Sequence, residues 1–203
     1  MFPFDVIFFD IGGVLLTNGW DHRERAAIVE QFHLDSAGFE AHHAKAFEAW
    51  ERGEISIDEY LDAVVFYEPR SFSHEEFFAA ICAQSKILPD GALCILEELA
   101  ASDKCVIGAL NNEARETNEF RLVNFGLRHY LKFAFTSCYM GIRKPDPTIY
   151  RHALGILGKT ADRALFIDDR LENVAAAGAV GMKAIQFTGA DTLRRDLQAL
   201  KVL

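Results

Sequence analysis

The chain has no long hydrophobic run, no excess of positive charge and no closely paired cysteines. Each absence removes a class of protein. The longest apolar stretches fall far short of the ~20 residues that span a bilayer, so no membrane partner is expected. Lys and Arg number 21 against 30 Asp and Glu, a formal net charge of −9. That balance disfavours non-specific binding to nucleic acid or anionic lipid, both of which select basic surfaces. A phosphate-bearing ligand must then be held by local cations or a metal. The four cysteines, Cys82, Cys94, Cys105 and Cys138, contain no C-x-x-C pair. Spread this widely, they read as reduced, buried thiols of a cytoplasmic protein rather than a disulfide scaffold. The start, Met1-Phe2-Pro3-Phe4-Asp5, has no basic segment and does not read as a secretory signal. No repeat and no low-complexity linker interrupts the chain.

What is present fits one substantial domain, or one domain carrying a smaller insert: 203 residues, half hydrophobic and a quarter charged. The organising stretch is Phe8-Phe9-Asp10-Ile11-Gly12-Gly13-Val14-Leu15. An apolar run from Val6 to Phe9 ends on a carboxylate and breaks into two glycines, as a strand buried on both faces does. Asp10 would then stand at a strand's C-terminal end, where open α/β sheets bind ligands. Taken alone, Asp10 reads equally well as an ordinary turn residue.

Residues 17–88 show no strand pattern and read as consecutive amphipathic helices. Asp21 caps the first, towards Phe32, and the second runs from Ala37 to Arg52 and stops at Gly53. Ser56-Ile57-Asp58-Glu59 and Ser73-His74-Glu75-Glu76 are capping boxes that open two more. From Pro89 onwards helices alternate with strands near Lys104–Leu110, Lys132–Ser137, Ala164–Ile167 and Met182–Phe187. Asp146 caps a helix with Pro147 in its first turn, and Asp191 caps the last. Such alternation predicts an α/β fold: a doubly wound, five-stranded parallel sheet with an inserted all-helical cap. The core is assigned to residues 1–16 and 89–203, the cap to 17–88.

The informative polar residues all follow strands. Asp10 follows the first, Asn111-Asn112 the second, Lys144 the third, and Asp168-Asp169 the fourth. A parallel sheet gathers those ends on one edge, so three carboxylates, two amides and a lysine converge. Carboxylates so placed repel one another unless a cation sits among them. Oxygen-only ligands of this kind suit Mg²⁺, and phosphoryl transfer needs such charge neutralisation.

These stretches, Asp10-Ile11-Gly12-Gly13, Asn111-Asn112, Arg143-Lys144-Pro145 and Asp168-Asp169 with Asn173 and Gly181, resemble the four ordered motifs of the haloacid dehalogenase-like (HAD) hydrolases. The resemblance covers essentially the whole chain. It is closest to the phosphatases with a helical cap after the first motif, in the subgroup reading Asp-Leu-Gly-Gly or Asp-Leu-Gly-Asn. It implies a Mg²⁺-dependent phosphomonoesterase for a small phosphorylated metabolite such as a sugar phosphate, acting as a monomer or homodimer. Asp10 would be the nucleophile and form an aspartyl-phosphate. Asp10, the Gly12 carbonyl, Asp168 and Asp169 would hold the metal. Lys144 and Asn111 would meet the phosphoryl group, with Gly12 and Asn112 beside it and Arg52 selecting substrate from the cap.

Two departures stand out. The family's general acid, two residues after the nucleophile, is here Gly12, and the Ser or Thr of its second motif is here Asn111. Loss of a general acid removes roughly 10²–10⁴-fold in rate. The expectation is a phosphatase that is slow, or restricted to esters whose leaving group needs little protonation. Two other readings remain open. One is a metal-independent 2-haloacid dehalogenase, disfavoured by the paired aspartates. The other is an attenuated binding or regulatory protein, supported only by Gly12. His42 and His43 lie on the second helix and read more readily as a solvated or interhelical pair than as a substitute acid. The Arg52-Gly53-Glu54 turn balances substrate contact against a plain helix end.

Overall fold

A computed structural model of the protein describes residues 2–203. Strands β1 (Val6–Phe9), β2 (Val106–Asn111), β3 (Ala134–Thr136), β4 (Ala164–Asp168) and β5 (Lys183–Gln186) pair in parallel. Their spatial order is β3-β2-β1-β4-β5. Every residue of β1 and β4 is buried, which explains why both read as unbroken apolar runs. The chain steps outward from β1 to β3, then returns to the other side of β1 for β4. The switch point therefore lies between β1 and β4. Phe9 pairs with Ile167, so Asp10 and Asp168 leave adjacent strands at the same level.

Helices α1 (His22–Gln31), α2 (Ser36–Glu51), α3 (Ile57–Val64) and α4 (His74–Ala83) separate β1 from the rest. They are followed by α5 (Leu93–Ser102), α6 (Arg115–Asn124), α7 (Ser137–Met140), α8 (Pro147–Leu157), α9 (Leu171–Ala179) and α10 (Ala190–Ala199). Strand alternation splits the sheet's side chains between two layers. Ile7, Phe9, Ile107 and Ile167 pack on one face with Leu96 of α5 and Leu197 of α10. Val6, Phe8, Leu110 and Phe166 pack on the other with Tyr150 of α8 and Ala177 of α9.

A third apolar cluster belongs to α1–α4, centred on Phe39, Trp50, Tyr60 and Phe77. Asp21 and Asp35 cap α1 and α2, and both capping boxes form as the sequence predicts: Ser56 with Glu59, and Ser73 with Glu76. The two chain segments leading into and out of this helical stretch are tied together. Thr17 N–H donates to Lys86 O at 2.9 Å, Thr17 Oγ1 donates to Gln84 O at 2.9 Å, and Leu16 bridges Ile87. At its far end Ser137 Oγ donates to the Glu51 carbonyl at 2.7 Å, and Trp50 Nε1 to Glu116 at 3.1 Å. Gly53 lies so close that a Cβ there would stand 2.2 Å from the Cys138 carbonyl oxygen.

Two expectations are corrected. Helix α10 begins one residue before Asp191: Gly189, at φ 133°, occupies the cap, and Asp191 sits in the first turn. Its carboxylate there still favours the helix N-terminus. The strand read over Lys132–Ser137 is only Ala134–Thr136, because Ser137 opens the four-residue α7, which is too short to show a helical period.

Candidate active site

Asp10 is held from two sides. The Ile11 N–H donates to its Oδ1 at 2.8 Å, and Lys144 Nζ lies 3.0 Å from its Oδ2. Lys144 Nζ also donates to Asp168 Oδ2 at 2.6 Å. Asp168 is fully buried beneath them, accepting from Asn173 Nδ2 at 3.0 and 3.1 Å and from the Arg170 N–H at 2.8 Å. The lysine is itself positioned by Asn112. Asn112 Nδ2 donates to the Lys144 carbonyl, and Oδ1 accepts from the Lys144 N–H, each at 2.8 Å. One side-chain amide thus pairs with the loop as a neighbouring strand would.

Oxygens of Asp10, Asp168 and Asp169 lie within 4.8 Å of one another. Three carboxylates therefore face one buried ammonium. Burial raises the Asp10 carboxyl above the usual range despite Lys144, with Asp168 and Asp169 pushing the same way. Asp169 is raised by burial and then by Asp168. Burial acts to lower Lys144, but Asp10 and Asp168 outweigh it and keep the ammonium charged. Asp169 Oδ1 is buried without a hydrogen-bond partner. Gly13, at φ +70°, gives that carboxylate room, since a Cβ would come within 2.3 Å of its Oδ2. An all-oxygen cluster with surplus negative charge and an unpartnered oxygen fits Mg²⁺.

Above the cluster opens a cavity of about 460 Å³. Asp10, Gly12, Asn112 and Lys144 line it from the sheet, and Trp20, His43, Phe47 and Trp50 from the helical side. Asp168 and Asp169 lie in the cluster rather than in the cavity lining, and two further residues singled out from the sequence do not line it either. Asn111 turns inward, donating to Asn118 Oδ1 at 3.2 Å and accepting from Thr136 Oγ1 at 3.0 Å. Arg52 pairs with Glu48 at 2.6 Å on its own helix. The residue beside it, Glu51, does enter the cavity.

Sequence reasoning missed Glu51, Glu113 and Arg121. Glu113 is the second residue after β2, and Thr117 Oγ1 donates to it at 2.7 Å while Arg121 pairs with its other oxygen. Glu51 continues the helical face His43-Phe47-Trp50, a spacing of three to four that places all of them on one side. His43 is no acid at neutral pH. Burial, then Arg25, lower it to about 4. Tyr60 Oη accepts from Trp20 Nε1 at 3.0 Å and sits 2.6 Å from His43 Nδ1, the arrangement of a neutral imidazole accepting the phenol proton. His42 is half-buried, its Nδ1 2.8 Å from the Ala63 carbonyl.

A parallel doubly wound sheet with a carboxylate–lysine cluster at its switch point defines an α/β protein whose ligand site lies at that sheet edge. The chain belongs to the haloacid dehalogenase-like hydrolases, matching that family over residues 4–181. It is 34% identical over 163 residues to a chloroplast flavin mononucleotide hydrolase of Arabidopsis thaliana. That match covers 80% of this chain and 65% of the relative, less than two thirds of its length. A sesquiterpene phosphatase of Aspergillus oryzae is 29% identical, with 91% of this chain and 90% of the relative covered. Among solved structures, a HAD family enzyme of Bacteroides thetaiotaomicron, in complex with magnesium and inorganic phosphate, superposes with a TM-score of 0.75. The pair share 23% identity over 92% of this chain and 95% of the other, which shows the common fold. No helix among the described residues is long and apolar enough to cross a membrane.

Proposed function

We propose that this hydrolase is a Mg²⁺-dependent phosphomonoesterase for a small phosphorylated metabolite, a sugar phosphate being one such ester, with the helical segment 17–88 as its cap. The observation that carries the reading is the buried set Asp10–Lys144–Asp168, with Asp169 beside it. Asp10 is the nucleophile, its carboxylate fixed in rotation by the Ile11 N–H and Lys144. Lys144 is the charge that meets the phosphoryl oxygens. Asp10, Asp168, Asp169 and the Gly12 carbonyl would hold Mg²⁺, which when bound neutralises charge on the transferring phosphoryl group. The names of two relatives, a flavin mononucleotide hydrolase and a sesquiterpene phosphatase, support this reading. A metal-free dehalogenase has no use for three converging carboxylates.

Turnover of 4-nitrophenyl phosphate with Mg²⁺ and its loss in EDTA is the expected result. Full activity in EDTA would return weight to the metal-independent reading. Binding should also show as stability, since a ligand at 100 times its Kd adds about 2.7 kcal/mol. Thermal unfolding should therefore rise in Mg²⁺ and not in K⁺ at matched ionic strength.

Gly13→Ala tests the Asp169 cradle. A Cβ there meets Asp169 Oδ2 at 2.3 Å in a left-handed backbone. The expected result is a roughly 10–100-fold weaker Mg²⁺ affinity by titration calorimetry, as when partners that orient a metal's ligands are disturbed. A stability loss of ~1–3 kcal/mol should accompany it. An unchanged isotherm would remove Asp169 from the metal set.

A further inference from the structure

The phosphatase chemistry leaves one role without a residue. An alcohol leaving phosphorus needs a proton, and position 12 is glycine. Its surroundings supply none: the side-chain atoms nearest a Cβ built on Gly12 are Asn18 Oδ1 at 3.0 Å and an Arg121 nitrogen at 3.7 Å. Neither an amide nor a guanidinium surrenders a proton near neutrality. The acid must come from elsewhere in the cavity.

Besides Asp10, four carboxyl groups line it: Asp21, Glu51, Glu113 and Glu172. Both Glu113 oxygens are engaged, by Arg121 and Thr117. Asp21 caps α1 and faces Arg170 at 3.5 Å, and Glu172 is exposed in the first turn of α9. Glu51 differs. It is buried at the end of α2, and the Ser137 hydroxyl on its carbonyl fixes that helix end against the core. Its Oε2 lies 2.5 Å from Arg143 Nε yet accepts no aligned hydrogen bond. Arg143 directly precedes Lys144, so the pair joins Glu51 to the loop that carries the lysine. Arg170 stands within electrostatic reach of both Asp10 and Glu51.

Resting on the phosphatase reading above, we propose that Glu51 is the general acid and base, supplied by the helical segment in place of the residue missing at Gly12. An Asp10 oxygen bonds to phosphorus as the ester P–O bond breaks. The departing oxygen takes the bond's electron pair and the Glu51 proton, leaving as the alcohol. Glu51, now carboxylate, takes a proton from the water that attacks the aspartyl-phosphate. The bond between phosphorus and Asp10 breaks, releasing inorganic phosphate and restoring both carboxyl groups.

Burial pushes the Glu51 carboxyl up to about 7, with Glu113 acting the same way and Arg143 and Arg170 opposing. Both protonation states are then available near neutrality, as a group serving first as acid and then as base requires.

The test compares 4-nitrobenzyl phosphate, whose alcohol needs protonation, with 4-nitrophenyl phosphate, whose phenolate does not. The constant kcat/KM reports the first step alone. Glu51→Gln should lower it roughly 10²-fold or more for the benzyl ester and less than about threefold for the phenyl ester. With 4-nitrophenyl phosphate the variant should also release a burst of nitrophenolate, because dephosphorylation has lost its base. Glu48→Gln, on the same helix and 3.9 Å from Arg143, should leave both rates unchanged. Without any variant, wild-type kcat/KM for the benzyl ester should fall as the pH rises through the Glu51 value near 7, and that for the phenyl ester should not.

Equal losses on both esters, or parallel wild-type pH profiles, would overturn the role of Glu51 and leave the phosphatase reading standing. Absence of any Asp10-dependent turnover would overturn both. The restriction to easy leaving groups expected from Gly12 then appears only in the Glu51→Gln variant.

Discussion

Asp10→Asn should abolish phosphatase turnover while the protein stays folded, with a melting temperature in metal-free buffer equal to or above that of the parent. On the mechanism proposed above the loss follows from chemistry, since an amide oxygen cannot form the aspartyl-phosphate. Deleting the nucleophile of a serine hydrolase costs on the order of 10⁶-fold in kcat. Stability follows from charge. Asp10 is one of three carboxylates crowded around a single ammonium, and burial already raises its pKa. A group whose folded-state pKa stands above its unfolded value destabilises the fold once the pH rises through that value. The neutral amide removes that burden, and Lys144 keeps Asp168 at 2.6 Å. Kinetics with 4-nitrophenyl phosphate and a thermal scan in EDTA check both halves. Residual activity within tenfold of wild type would remove Asp10 from the nucleophile's role.

Lys144→Met should do the reverse and damage the fold together with the activity. The Lys144 side chain is wholly buried and contacts two carboxylates. Removing one member of a buried ion pair costs about 3–5 kcal/mol because the partner charges stay desolvated. For a protein of this length each kcal/mol moves the melting temperature by roughly 2–4 °C, so a fall of ~6–20 °C is expected. The sign of its pH dependence is fixed. Without the ammonium, Asp10, already raised by burial, holds its proton still more tightly in the folded state than when unfolded. Its contribution to the fold is then strongest at low pH and weakens as the pH rises through the folded value. The deficit against wild type should therefore be smaller at about pH 5 than at about pH 8. Combining Lys144→Met with Asp10→Asn should recover part of the loss, a coupling that a double-mutant cycle measures. Additive losses would show that the lysine acts through packing alone.

Much of this arrangement was legible in the chain because parallel strands buried on both faces leave an apolar trace in sequence. Four predicted strands, each followed by polar residues, place Asp10, Lys144 and Asp168 together by topology alone. What stayed hidden were single-residue rotations. Along a strand, neighbours point to opposite sides. The pair Asn111-Asn112 is visible in the chain, but which amide turns inward to Thr136 is set by register against β3. Along a helix each step turns about 100°. That rotation separates Arg52, on the outside with Glu48, from Glu51, inside the cavity. The buried Glu113–Arg121 pair needs α6 to be docked before the two side chains meet. Chemistry-bearing positions were thus readable to within one residue, and packing decided the rest.

The joined entry and exit of the helical segment have a consequence for how this architecture can vary. Thr17 and Lys86 are hydrogen-bonded neighbours, so to the sheet the stretch 18–85 is a single surface loop whose ends already touch. The entropy of closing such a loop grows only with the logarithm of its length, about 0.6 kcal/mol per doubling. Shrinking this stretch to a four-residue turn, about four halvings, would change that cost by only ~2–3 kcal/mol. As far as chain closure is concerned, the helices can therefore lengthen, shorten or be exchanged for another bundle at little cost, leaving the contacts at Glu51, Trp50 and Gly53 as what a replacement must rebuild. A transplanted bundle would keep Asp10, Lys144 and Asp168 but lose Glu51. In such a chimera, recognition and proton supply would travel as one inheritable unit, and nucleophile and cation chemistry as another.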